Sequence, residues 1–137
     1  MVAHQCRACL VYCMDFRLHE SLENFLTDQK LDLDGADIIR VAGAIKSLAQ
    51  PKENRDRQFL LEQLKVAYEL HGVRQFYLIN HEDCGAYGLE NVKDSEEELA
   101  THRNDLRTAK NLLQDQFPDT EILTYFMSLS GTAEHIE

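Results

Sequence analysis

Ala8-Cys9-Leu10-Val11-Tyr12-Cys13-Met14-Asp15-Phe16-Arg17 decides how the rest of the chain is read. Residues 8–12 are apolar, about the length of a buried strand and too few for a buried helix. The run stops at Cys13, and beyond it Leu18, Leu22, Phe25 and Leu26 recur at i, i+4, i+7 and i+8, the stripe of an amphipathic helix reaching about Asp28. A strand followed directly by a helix places Cys13, Asp15 and Arg17 at the strand's carboxyl end.

The same alternation continues along the chain. Asp34-Gly35 marks a turn, residues 36–42 with Ile38, Ile39 and Val41 read as a second strand, and Pro51 lies in a loop. Residues 55–71 put Leu60, Leu61, Leu64, Ala67, Tyr68 and His71 on one helical face, closed by Gly72 in a left-handed cap. Phe76-Tyr77-Leu78-Ile79 is a third strand ending at Asn80-His81. Ser95-Glu96-Glu97-Glu98 fits a capping box opening a helix with Leu99, His102, Leu106, Ala109 and Leu113, which Pro118-Asp119 ends. Residues 122–129 form a last strand, followed by a Ser130-Gly131 turn and a short tail. The expectation is one α/β domain over residues 1–137: a three-layer, mostly parallel sheet of order about 2-1-3-4 with flanking helices and right-handed crossovers.

In such sheets ligands bind beyond the carboxyl ends of the strands, where the strand order reverses. Cys13 follows the first strand and His81 the third, so both reach that edge when those strands are neighbours. His81-x-x-Cys84 alone is a weak signal. Together with Cys13 it makes a three-ligand set that leaves a fourth position open on zinc, and thiolate with neutral imidazole suits that borderline-soft ion. Asp15 and Arg17 stand beside it, where a bidentate guanidinium would hold the carboxylate ionised and aimed. The same residues also fit a plainer account: two buried thiols, a helix-capping histidine, a helix-start aspartate and a solvated arginine.

The remaining candidates are weaker. Cys6-x-x-Cys9 with His81-x-x-Cys84 would make a closed four-ligand site, but Cys9 falls inside the first strand, where a small buried hydrophobe fits better; Cys6 has no assigned role. His102 lies on an apolar stripe and reads as a core or boundary residue. His71 in a last helical turn favours the helix dipole, and His4, His19 and His135 fall in segments without ligand geometry. Asp83 invites a role as base, although its place between two proposed ligands also fits loop support alone, and Gly85 and Gly88 bracket a tight turn. No phosphate-binding glycine loop and no Ser-His-Asp signature is apparent.

Composition bounds the partners. At 137 residues the chain can build a core without disulfide staples. A net charge of -10 argues against nucleic acid and anionic membranes as partners. The acidic run from Asp94 to Glu98 reads as a solvated helix start. No apolar run approaches a membrane span and no secretory segment opens the chain, so a soluble, cytoplasmic protein is expected. Four cysteines, three of them crowded between Cys6 and Cys13, make a poor disulfide framework and suit a reducing compartment.

At these residues the sequence resembles the β-class carbonic anhydrases. Cys13, Asp15 and Arg17 match that family's Cys-x-Asp-x-Arg motif, His81, Cys84 and Gly85 its His-x-x-Cys-Gly motif, and Arg40-Val41-Ala42-Gly43 looks like its Arg-Asn-Ala-Gly segment. The likeness covers about residues 8–132 and implies the family's Rossmann-like fold. It further implies zinc on Cys13, His81 and Cys84, a water or hydroxide in the fourth position, Asp15 accepting the hydroxide's proton, and Arg17 keeping Asp15 aimed; were that pair to break, Asp15 could swing onto the metal and close the site. The implied activity is reversible hydration of carbon dioxide to bicarbonate. The alternatives are a non-catalytic zinc module meeting a protein partner through its acidic surface, or a hydrolase of carbon disulfide or carbonyl sulfide. The chain departs from the pattern in having Phe16 where the family has serine and Val41 where it has asparagine; these apolar side chains suit a small apolar substrate. The resemblance implies a homodimer or higher homo-oligomer; with twelve residues before Cys13, the expectation is either pairing unlike that made by the family's N-terminal helical arm or a substrate pocket lacking the part that arm supplies.

Overall fold

Two strands with buried apolar runs form the middle of the molecule: β1 (Ala8–Tyr12), fully buried along its length, and β3 (Gln75–His81), apolar from Phe76 to Ile79 and buried at every position after the first. Parallel strands covered on both faces need such near-continuous apolar runs. Around them the computed structural model, which describes residues 4–88 and 95–137, places β2 (Ala36–Arg40), β4 (Glu121–Met127) and β5 (Ala133–Ile136) in the sheet order β2-β1-β3-β4-β5. The first four strands are parallel, as expected, in the anticipated order. β5 adds an antiparallel edge, pairing Thr124 with Ile136 and Met127 with Ala133. The segment read as a tail is this fifth strand, and Ala133-Glu134-His135-Ile136 carried too little apolar alternation to announce it.

Helices cover both faces. On one, α1 (His19–Asp28) sets Phe25 edge-on against Tyr77 and Tyr125, with ring centroids 5.7 and 5.1 Å away. On the other, Phe117, just past α5 (Ser95–Gln116), packs between Phe76 and Tyr68 of α4 (Asn54–Leu70), at 5.2 and 5.1 Å. Two short helices, α2 (Leu31–Asp34) and α3 (Lys46–Ala49), complete the chain order, with α3 packed against α4 and α5. α4 begins with a capping box between Glu53 and Asp56, and Gly72 follows it at φ +66°, the left-handed cap expected. For α5, Ser95 is already helical and position 94 lies outside the described residues, so the expected acidic start is seen only from Ser95 onward.

Register brings the distant motifs together. Val11 lies beside Leu78, which puts Cys13 level with Asn80, one residue short of His81. β2 ends at Arg40, two residues earlier than expected, because Gly43 and Ala44 turn away with φ of +78° and +48°.

His102 is fully buried on α5, and its Nδ1 accepts from Asn80 Nδ2 at 2.9 Å. Burial, with His81 adding to it, holds the imidazole down to about 4. In the unfolded chain the group titrates near 6.5. As pH falls from 6.5 to about 4, the unfolded state takes up the proton first, and the folded state loses on the order of 3 kcal/mol. His102→Gln is therefore expected to flatten the pH dependence of denaturant stability across that window. An unchanged slope would assign the acid sensitivity elsewhere.

Candidate metal centre

At the carboxyl edge of β1 and β3, one donor atom from each of Cys13, His81 and Cys84 lies within 4.8 Å of the other two. The two sulfurs are 4.0 Å apart and all three residues are buried. His81 Nδ1 bonds the Glu82 carbonyl at 2.7 Å, which makes Nδ1 the protonated nitrogen and leaves Nε2 with a free lone pair. That Nε2 is buried with no hydrogen-bond partner. Two sulfurs and an unsatisfied imidazole nitrogen facing one point fit a zinc-type ion, and the residues present meet that requirement.

The thiols behave as a pair. A hydrogen bond from Cys84 stabilises a thiolate on Cys13 and holds that thiol well below the usual range, with His81 and the backbone N–H groups of Asp15 and Gly43 helping. The same bond, with burial, pushes Cys84 far up. The first proton leaves readily and the second does not, the behaviour of a dithiol whose second charge waits for a cation.

Asp15 caps the 3-10 turn Phe16–Leu18 and is gripped by Arg17. Arg17 Nε lies 3.1 Å from both carboxylate oxygens and Nη2 is 2.7 Å from Oδ2. Arg17 also donates to the Asp83 carboxylate and carbonyl, each at 2.9 Å, so one guanidinium ties the first motif to the second. This hydrogen bonding holds the Asp15 carboxyl down to about 2. Its Oδ2 lies 4.0 Å from His81 Nε2, beside the donor cluster.

Several further residues support the site in ways that the sequence patterns did not express, among them Arg40 of the Arg40-Val41-Ala42-Gly43 segment. Arg40 donates from Nε to the Cys13 carbonyl and from Nη2 to the Asp15 carbonyl, both at 2.9 Å. Glu82 Oε1 accepts from the Leu129 N–H at 2.6 Å. Glu98, expected to be merely solvated, accepts from the Asp83 N–H at 2.9 Å, which fixes Asp83 at φ +57°. Asp83 is thus the loop support anticipated. Behind the loop, Asn80 Nδ2 donates to the Tyr87 hydroxyl, which donates to Asp105, and Gln50 donates to the same carboxylate. Gly43 is needed for close approach: a Cβ there would stand 3.1 Å from that of Ala86 in the metal loop.

In front lies a cleft of about 660 Å³ lined by Met14, Phe16, Ala42 and Ala86 together with Cys13, Asp15, Arg17, Asp83, Cys84 and Gly85. Phe16 therefore faces the site, as its position suggested. Val41 does not: it lines a separate shallow cleft with Phe59 and Leu60.

A mostly parallel α/β sheet carrying a Cys-His-Cys cluster at its carboxyl edge, with an arginine-clamped aspartate beside it, is the arrangement that the resemblance to β-carbonic anhydrases implied. The solved carbonic anhydrase of Glaciozyma antarctica superimposes with a TM-score of 0.66 at 23% identity, covering 100% of this chain and 85% of that one. A carbon disulfide hydrolase does so with a TM-score of 0.64 at 15% identity, covering 99% and 81%. An uncharacterised protein of Rickettsia conorii is 29% identical over 131 residues, 93% of this chain and 70% of its own. The chain belongs to the family described as "Putative carbonic anhydrase", whose model matches residues 3–137. Among the described residues no helix is long and apolar enough to cross a membrane.

Proposed function

We propose that the protein is a zinc enzyme that reversibly hydrates carbon dioxide to bicarbonate at the Cys13-His81-Cys84 centre. The observation that carries this reading is the partnerless His81 Nε2 facing two thiols beside a carboxylate already held by Arg17. Zinc bound there would act as a Lewis acid that lowers the pKa of a coordinated water from 15.7 toward about 7.

The chain's own residues do the rest. Asp15, ionised throughout the neutral range, accepts a hydrogen bond from the attacking water and directs its lone pair into the cleft. Arg17 fixes that direction, since its bonds to Asp83 as well as Asp15 keep the carboxylate from turning. Met14, Phe16, Ala42 and Ala86 supply an apolar wall suited to a small uncharged molecule. A carbon–oxygen bond then forms, and the proton lost in hydration passes to solvent at the open face.

The same reading assigns the protein to the cytoplasm, supported by four unpaired cysteines. It also makes the protein a homodimer or larger homo-oligomer, supported by Met14 and Phe16, 61% and 78% exposed on the rim of the cleft. Crystals loaded with zinc at pH 6 and pH 8.5 provide the test. Density for two sulfurs, one nitrogen and an exchangeable light ligand, with Asp15 still on Arg17, is the expected result. Asp15 bound to the metal at both pH values would instead mark a non-catalytic module. Carbon disulfide turnover without carbon dioxide turnover would transfer the site to the hydrolase reading.

A further inference from the structure

At the opposite end of β1 stands a second group of donor atoms. Cys6 lies two residues before β1, and its N–H bonds the His71 carbonyl at 3.1 Å, fastening the end of α4 to the start of the sheet. Asp37, the second residue of β2, accepts from His71 Nδ1 at 2.7 Å. One donor atom from each of Cys6, Asp37 and His71 lies within 4.8 Å of the other two. At about 3.3 Å per residue, the strand from Cys6 to Cys13 sets this group roughly 20 Å from the centre already described.

The site is built rather than incidental. Its three donors come from a pre-strand segment, a strand and a helix cap, brought together only by the fold. Gly35, at φ +84°, lets the backbone press in so closely that a Cβ would stand 3.0 Å from the Cys6 Cβ. The cleft in front, about 240 Å³, is lined by His4, Gln5, Cys6, Gly35, Ala36, Asp37 and His71. The His71 and Asp37 side chains are 34% and 30% exposed, so an ion can enter from solvent. The His4 ring centroid is 6.1 Å from that of His71, on the same open side.

We propose that Cys6, Asp37 and His71 form a second divalent-metal site of zinc type, with His4 or water completing the coordination. The donor set decides the ion: a thiolate and an imidazole select a borderline-soft transition metal over magnesium or calcium, which take oxygen. Without a cation, burial and the neighbouring Asp37 carboxylate push the Cys6 thiol up. An ion would release that proton and replace the His71–Asp37 hydrogen bond by two bonds to metal.

The site is tested by titrating the full chain with zinc against a chromophoric chelator, with cobalt substitution to register thiolate-to-metal absorption. The wild type is expected to bind two equivalents. Cys6→Ser should bind one and lose one of three thiolate contributions to the cobalt spectrum. Asp37→Asn, which can keep a hydrogen bond to His71, should weaken the second equivalent about tenfold or more. Cys84→Ala should retain an equivalent that Cys6→Ser then removes. A wild type that binds a single equivalent, lost in Cys84→Ala and kept in Cys6→Ser, would overturn the second site and leave the first intact. A single equivalent lost in Cys6→Ser and kept in Cys84→Ala would uphold this site and overturn the ligand set of the proposed enzyme.

Discussion

In a Cys6→Ser background, Cys84→Ala is expected to reduce bound zinc from one equivalent to almost none and to abolish turnover above the uncatalysed rate. Cys84 is 2% exposed and its sulfur stands 4.0 Å from that of Cys13, so no solvent-facing group can take its place without opening the loop. The remnant, one thiolate and one imidazole, falls below the three protein ligands of a catalytic zinc site. The loss should therefore exceed the 10–100-fold drop in affinity usual for changes in the residues that merely support a ligand. The fold should persist, because Arg17, Glu98 and Glu82 hold the loop through other bonds. Metal analysis after gel filtration checks this, with circular dichroism to confirm folding. A full equivalent of zinc retained by the double variant would reject Cys84 as a ligand.

The second large effect is expected at Asp15. Asp15→Asn keeps the size of the side chain but loses the charge that orients the attacking water and that anchors the strong charge-assisted bonds Arg17 now makes to both oxygens. Turnover should fall by about 10²-fold or more, the usual cost of misorienting a reacting group, while zinc content stays unchanged. Loss of turnover together with zinc would make Asp15 structural. The pH signature is separate. The Asp15 carboxyl is depressed to about 2 from 3.8, so its contribution to stability is fully present above pH 3.8 and is lost as pH falls through 2. Asp15→Asn should therefore lower stability by a constant amount near neutrality and flatten the acid limb between pH 3.8 and 2.

Much of this arrangement was legible before any coordinates. Residues 8–12 and 76–79 declared themselves as buried strands because parallel strands in a three-layer fold need side chains that are apolar on both faces. Their neighbouring positions then followed from crossover topology, and Cys13 and His81 met at one edge. What stayed hidden was held by contacts that no spacing expresses. Arg40 was marked by its segment but not in its action on backbone carbonyls; Glu98 acts through a single backbone N–H, and Asp105 through a buried network with Tyr87 and Gln50. β5 was missed because an edge strand paired on one side tolerates the polar Glu134 and His135. Cys6, Asp37 and His71 looked unrelated because only the closing of β1, β2 and α4 makes them neighbours. Val41 was linked to a small apolar substrate through its place in the segment resembling Arg-Asn-Ala-Gly, but the turn at Gly43 directs it to another cleft.

The most direct measurement is stopped-flow hydration of carbon dioxide by the zinc-loaded protein from neutral to alkaline pH. The account predicts an acceleration over buffer that rises with pH through an apparent pKa of about 7, set by a metal-coordinated water, and that disappears in Cys84→Ala. A fully zinc-loaded protein whose hydration rate equals that of buffer at every pH would contradict it.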